Sequence, residues 1–306
     1  MQSLQRRWLD LWDRFSATRG SRLLFPLGIV LALYLFAAIV IGIYWSWAPS
    51  QFDVRATAAE RAAAKQSEVV VGSHTTSTLI SLVETLLNKP GGYISNDRTP
   101  PGVWLDNISN WEFGVLVQAR DLSRAMRKTF SRSQSQSTEQ PDLAAAEPRL
   151  HFDNNSWLLP STESEYRDAL GSLYAYHQNL SSASAENTQF YARADNLRDW
   201  LGDVSTRLGS LSQRLSASVG QKRLNTDLAG TSGADQSTAV AAEVEVQTPW
   251  MEIDDVFYEA RGTAWALIHI LNAIELDFQQ SLERKNAVVS LRQIVRELEA
   301  TQNTIW

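Results

Sequence analysis

Glu252, Asp255 and Glu259 are spaced to share one face of a helix, with Asp254 beside them. Carboxylates paired in this way can divide the acid and base roles of glycoside hydrolysis, so a cell-wall hydrolase is one reading of this face. The competing reading is an acidic solvated surface near a helix N-terminus, where the dipole favours negative charge. A second group lies between Pro90 and Trp111, where Tyr93, Asn96, Asp97, Trp104, Asp106 and Trp111 combine aromatic rings with an amide and carboxylates. Such a mixture can bind a sugar or a peptide, and long ordered loops often carry function. The same residues also suit a crossover that caps a helical bundle with its tryptophans. Just downstream, Arg120, Arg124, Arg127 and Lys128 form a basic stripe that reads as a solvated face.

Residue type excludes other chemistries. The 306 residues include no cysteine, which removes disulfide frameworks, Cys-based metal sites and Cys nucleophiles. There is no Gly-rich loop ending in Gly-Lys, no His-Glu-x-x-His pair, no Gly-x-Ser-x-Gly elbow and no Ser-x-x-Lys. None of His74, His151, His177 or His269 follows a glutamate by three residues, as the di-iron bundles require. No metal, cofactor or enzymatic activity is therefore expected. His269, between Ile268 and Ile270, reads as a satisfied core histidine. The net charge of −6 argues against nucleic acid, because neutralising phosphate takes a concentrated basic surface.

The elements that must position these groups begin with a membrane anchor. Leu23 to Trp45 is an uncharged apolar run diluted only by Pro26, Gly28, Tyr34, Gly42 and Tyr44. As a helix it is long enough to cross a hydrocarbon layer of about 30 Å. Trp45 and Trp47, with Tyr44, supply an interfacial aromatic belt, and Pro49 ends the span. The run exceeds the apolar core of a signal peptide, and Tyr44-Trp45-Ser46-Trp47 is a poor cleavage site, so the expectation is an uncleaved signal anchor over 23–47. Residues 1–22 carry five arginines against two aspartates, which places the N-terminus in the cytoplasm and leaves the remainder more acidic than the whole. Trp8, Trp12 and Phe15 lie at helical spacing in this stub and are expected in the bilayer interface, with docking to a cytoplasmic partner as the alternative.

Beyond a spacer over 48–73, where Val69 to Val71 suggests a brief strand or buried chain, the spacing predicts helices over Thr76 to Asn88 and Asn110 to Phe130. Thr162 and Glu165 have the spacing of a capping box that opens a third helix running to Leu180. The most regular element is the heptad seam Phe190, Ala194, Leu197, Leu201, Val204, Leu208, Leu211 and Leu215, within a helix from about Ala185 to Ala217. Its partner belongs either to the same chain or to another subunit. Val219 to Thr248 reads as a flexible insertion, and a last long helix from Met251 is expected to break near Lys285 to Ala287, where the apolar register slips. The fold class is thus all-α: one N-terminal transmembrane helix, then a periplasmic helical bundle over 74–306 with long coiled-coil-like helices.

Several strings resemble a known family. They are Lys89-Pro-Gly-Gly-Tyr-Ile-Ser-Asn-Asp97, Pro101-Gly-Val-Trp-Leu-Asp106, Asn110-Trp-Glu-Phe-Gly114, Arg120-Asp-Leu-Ser-Arg124, the Phe130 to Ser137 stretch, Gln189 to Arg198 and Arg296 to Gln302. Together they are similar to the DUF2333 family of uncharacterised Gram-negative inner-membrane proteins, over nearly the whole chain. The resemblance implies an envelope location and brings no catalytic residues.

The functional expectation is a single-pass inner-membrane protein whose periplasmic bundle acts as scaffold, adaptor or assembly factor of a cell-envelope complex. Its partners are the lipid bilayer and either an envelope protein or a second copy through the Phe190 to Leu215 seam. The alternative is a cell-wall glycan or peptide binding module or hydrolase, built on the loop and the acidic face.

Overall fold

The computed structural model describes residues 21–132, 138–182, 188–224 and 243–303. Trp8, Trp12 and Phe15 of the stub, and the centre of the Gly- and Ser-rich insertion, lie outside these residues. The described fold is all-α apart from one small two-stranded ribbon.

Helix α1 covers Ser21–Trp45, and its Phe25–Trp45 portion is long and apolar enough to cross a membrane. Trp47 falls beyond the helix and is exposed. Helix α2, Val54–Ala64, starts on Asp53, whose Oδ1 accepts from the amides of Arg55 at 2.8 Å and Ala56 at 3.0 Å. Val69 and Val71 stand in water in irregular chain, so this stretch is neither strand nor buried. Two valines without a strand partner or a covering layer have nothing to hold them in sheet.

Helix α3, Ser73–Asn88, stops before Pro90 and the left-handed glycines Gly91 and Gly92. Helix α4, Asp106–Ala125, passes into a single π turn at Met126–Phe130. Helix α5, Pro141–Leu150, is additional to the helices read from periodicity. It opens with Pro141 in its first turn and with Gln140 Oε1 accepting from Leu143 N at 2.9 Å. Helix α6, Thr162–Leu180, is capped by Ser161 rather than by the expected Thr162. The Thr162 hydroxyl instead donates to the carbonyl of Asp153 at 2.8 Å and ties the preceding loop to the helix.

Helix α7, Ala194–Ser218, leads into strand β1, Gln221–Leu224, which pairs antiparallel with β2, Glu243–Val246. The ends of the expected flexible insertion are therefore held together. Helix α8, Ile253–Asp277, is followed by α9, Gln279–Arg284, and α10, Val288–Ala300. The break between α9 and α10 falls at Asn286, φ +52°, inside the expected window, and a further break occurs at Phe278.

Helix α8 is the axis of the bundle, packed by α4, α3, α10 and α7. Its crossing with α4 is backbone to backbone. A Cβ on Gly114 would collide with the carbonyl of Glu259, and one on Gly262 with the carbonyl of Trp111. Two facing glycines bring the axes close enough for Trp111 and Trp265 to meet edge to face, centroids 5.1 Å apart. The α7 seam turns Leu197, Leu201, Val204, Leu208 and Leu211 away from water, in a helix that packs on α4 and α8 of the same chain. Phe190 precedes α7 and completes an aromatic triad with Phe130 and Phe278, at 5.4 and 5.6 Å.

Candidate functional site

The loop from Lys89 to Leu105 crosses the end of the bundle against which α1 packs. Lys89 Nζ lies 2.6 Å from Glu112 Oε1 on α4 and donates to the carbonyl of Gly92, also at 2.6 Å. The Glu112 carboxylate further accepts from the amides of Ile94 at 2.9 Å and Ser95 at 2.8 Å and from the Ser95 hydroxyl. Burial pushes the Glu112 carboxyl up from its ordinary value, while Lys89 and the donors pull against that shift. A buried charge with this many partners fixes the path of the loop.

Around this pair the six loop residues separate into inward and outward groups. Tyr93 is buried, donates to the carbonyl of Asn154 at 3.1 Å and meets the Tyr166 ring edge to face; burial raises its phenol well above the ordinary value. Asn96 is buried too, and its amide donates to the carbonyl of Ser156 at 2.8 Å and to Glu163 at 2.9 Å. Trp111 is fully enclosed on Trp265. Asp97 is half-buried against Gly102, with its carboxyl raised by burial and by Glu163. Only Trp104 and Asp106 face outward. The mixture therefore forms no aromatic platform for a sugar, because two of its three rings face inward.

The acidic face meets this loop at one point. Asp255 accepts from Asn110 at 2.7 Å, and its carboxyl is raised by burial first and then by Asp106, Asp254 and Glu252. Glu252 is exposed in a short 3-10 turn before α8. Glu259 is engaged elsewhere, paired with Arg214 on α7. Among the described residues no three His, Asp or Glu side chains are placed to hold a metal ion.

Helix α1 is also part of this end. Gly91 lies against the Trp45 ring, where a Cβ would come within 2.7 Å, so only glycine lets the last residue of α1 pack there. A cavity of about 730 Å³ opens between Tyr44, Trp47 and Pro49 at the C-terminal end of α1 and the ion-paired Arg61 and Glu84 of α2 and α3.

Two further polar clamps tie the exit segment and α3 to α8. His269 Nε2 accepts from the Phe52 amide at 3.0 Å, its Nδ1 donates to the Trp265 carbonyl at 2.7 Å, and Phe52 stacks on the imidazole at 4.0 Å. That arrangement needs neutral imidazole, and burial lowers His269 to about 4. Asp277 accepts from the Thr75 amide and hydroxyl, each at 2.7 Å, and contacts His74 Nδ1 at 3.0 Å, so it acts as a capping anion for the first turn of α3. Lys89, Glu112 and Asp277 were absent from the site residues expected from sequence. For the first two the available signal was their place inside the motif strings; for Asp277 spacing supplied none.

A family model described as an uncharacterised protein conserved in bacteria, DUF2333, matches residues 17–306. No curated protein and no solved structure matches the chain.

Proposed function

The chain belongs to that bacterial family, and from this premise we propose that it is a single-pass inner-membrane protein whose bundle faces the periplasm and serves as scaffold, adaptor or assembly factor of a cell-envelope complex. One observation supports the reading best: three polar side chains of the motif strings, Lys89, Asn96 and Glu112, are turned inward and bonded to the chain's own atoms. Buried and hydrogen-bonded within the bundle, they are parts of a frame. What a frame offers to other molecules is its outer surface. Crosslinking of the full-length protein in intact cells, followed by identification of the adducts, tests this. Reproducible envelope proteins are the expected result, and recovery of the protein alone or only with itself overturns the reading.

The glycan or peptide hydrolase has one observation in its favour, the raised Asp255 carboxyl beside Asp106 at the foot of the loop. Under that reading an Asp255→Asn, Glu259→Gln double variant abolishes function. Under the scaffold reading the same variant retains it.

A further inference from the structure

We propose that the bundle end beside the anchor is itself a membrane-inserting surface: the turn around Gly102–Trp104 and the tip Trp157–Leu159 enter the same bilayer leaflet from which α1 emerges. The inference rests on reading Phe25–Trp45 as a membrane span, and three observations carry it.

The first is continuity with the anchor. A Cβ on Gly42 would sit 3.3 Å from Pro101 and 3.7 Å from Leu105, and the Tyr34 hydroxyl donates to the carbonyl of Pro100 at 3.2 Å. Ala38 and Gly42, about one helical turn apart, are buried and Trp45 is partly so, while the rest of Phe25–Trp45 is exposed. Gly42 lies three residues before Trp45, about 4–5 Å along the axis. With Trp45 at the interface, the Gly42 contact puts the turn about 5 Å below the aromatic belt, and the bond to Tyr34, whose place in the helix is about 16 Å from Trp45, draws Pro100 deeper, past the interface towards the hydrocarbon.

The second is apolar exposure. Val103, Trp104, Trp157 and Leu158 each show half or more of their surface, and Leu159 is 99% exposed. The two tips share one end because Asn96 is bonded to Ser156, and Arg98 Nη2 donates to the Asn155 carbonyl at 3.1 Å. Two linked loops that together expose five large apolar side chains at one end of the bundle are more than singly scattered surface hydrophobics.

The third is backbone accounting. Irregular chain is costly in hydrocarbon unless its polar groups are satisfied. In the Gly102–Trp104 turn, Pro100 and Pro101 have no amide proton, and the amides of Val103, Trp104 and Leu105 donate to the carbonyls of Thr99, Pro101 and Gly102. The Pro100 carbonyl is taken by Tyr34. Arg98, exposed beside the turn, is placed to reach lipid phosphate, whereas Asp106 marks where insertion ends.

Because the chain has no cysteine, single-cysteine labelling is free of background. Full-length Val103→Cys, Trp104→Cys and Leu159→Cys variants carry a nitroxide in vesicles of phosphatidylethanolamine and phosphatidylglycerol. Collision with oxygen is compared with collision with a water-soluble nickel chelate. Phe36→Cys in the anchor and Val289→Cys, exposed on α10, are the references. The expected oxygen-to-nickel ratio at 103, 104 and 159 is several-fold above that at 289 and approaches that at 36. Aqueous readings at 103, 104 and 159 with a lipid reading at 36 overturn the insertion and leave the anchor standing. An aqueous reading at 36 removes the anchor, and the insertion with it.

Discussion

Lys89 and Glu112 form an ion pair 2.6 Å long with 1% and 0% of their side chains exposed, and it joins the loop after α3 to α4. Removing one partner strands the other charge in the interior, which typically costs about 3–5 kcal/mol. Glu112→Ala is therefore expected to lower the unfolding free energy of the detergent-solubilised protein by that amount. In a cycle with Lys89→Met, the double variant should be less destabilised than the two single losses added together. Simple additivity, read from tryptophan fluorescence during denaturation, would mean that the pair is not coupled.

His269 gives stability a pH dependence of definite sign. Its folded value is about 4 against an ordinary 6.5, so the unfolded chain binds a proton more readily and stability falls as pH drops. The contribution is complete above about 6.5, declines through that window and is lost below about 4, for a total of roughly 3 kcal/mol. His177, also lowered by burial, adds in the same sense. A His269→Phe variant should be less stable at neutral pH and show a flatter decline between pH 6.5 and 4, as measured by thermal unfolding across that range. An unchanged slope would remove His269 as its source.

Glycines in this chain divide into two kinds by what surrounds them. Gly114→Ala pushes a methyl into the α8 backbone, where no side chain can swing away, and should cost about 3 kcal/mol. Gly202→Ala on the exposed face of α7 has nothing within 4 Å and should stabilise by up to about 1 kcal/mol. Shifts of the same sign in chemical denaturation would contradict the backbone crossing.

Asp277→Ala removes the acceptor for the Thr75 amide and hydroxyl, at a cost of about 2–4 kcal/mol for two donors left without it. Asp277→Asn keeps one oxygen and should recover part of that loss. Hydrogen exchange at the Thr75 amide reports the same event locally, faster in both variants and fastest in the alanine.

Periodic features were legible in the sequence and long-range polar ones were not. The apolar run of α1, the seam of α7 and the break at Asn286 follow from local spacing, which repeats within a few residues. Helix α5 was missed because Leu143, Ala146 and Leu150 offer only two steps of a pattern, with Pro148 inside it. The paired ends of the insertion were hidden by low apolar content, since a four-residue ribbon is defined by its register alone. At the candidate site, Tyr93, Asn96 and Trp111 were visible as unusual, but spacing does not say whether a ring points inward or outward. Contacts such as Phe52 with His269, separated by 217 residues, leave no periodic trace.

That same separation has a consequence for the order of events during synthesis. The Phe52 amide and the first turn of α3 find their acceptors on α8, 217 and 202 residues later. A ribosome delivers these acceptors long after their donors, so the early helices stay incomplete until α8 has been made. Premature termination before residue 253 would yield a fragment whose early helices have no axis to close upon. Synthesis of α8 thus sets the earliest moment at which the exit segment and α3 can close.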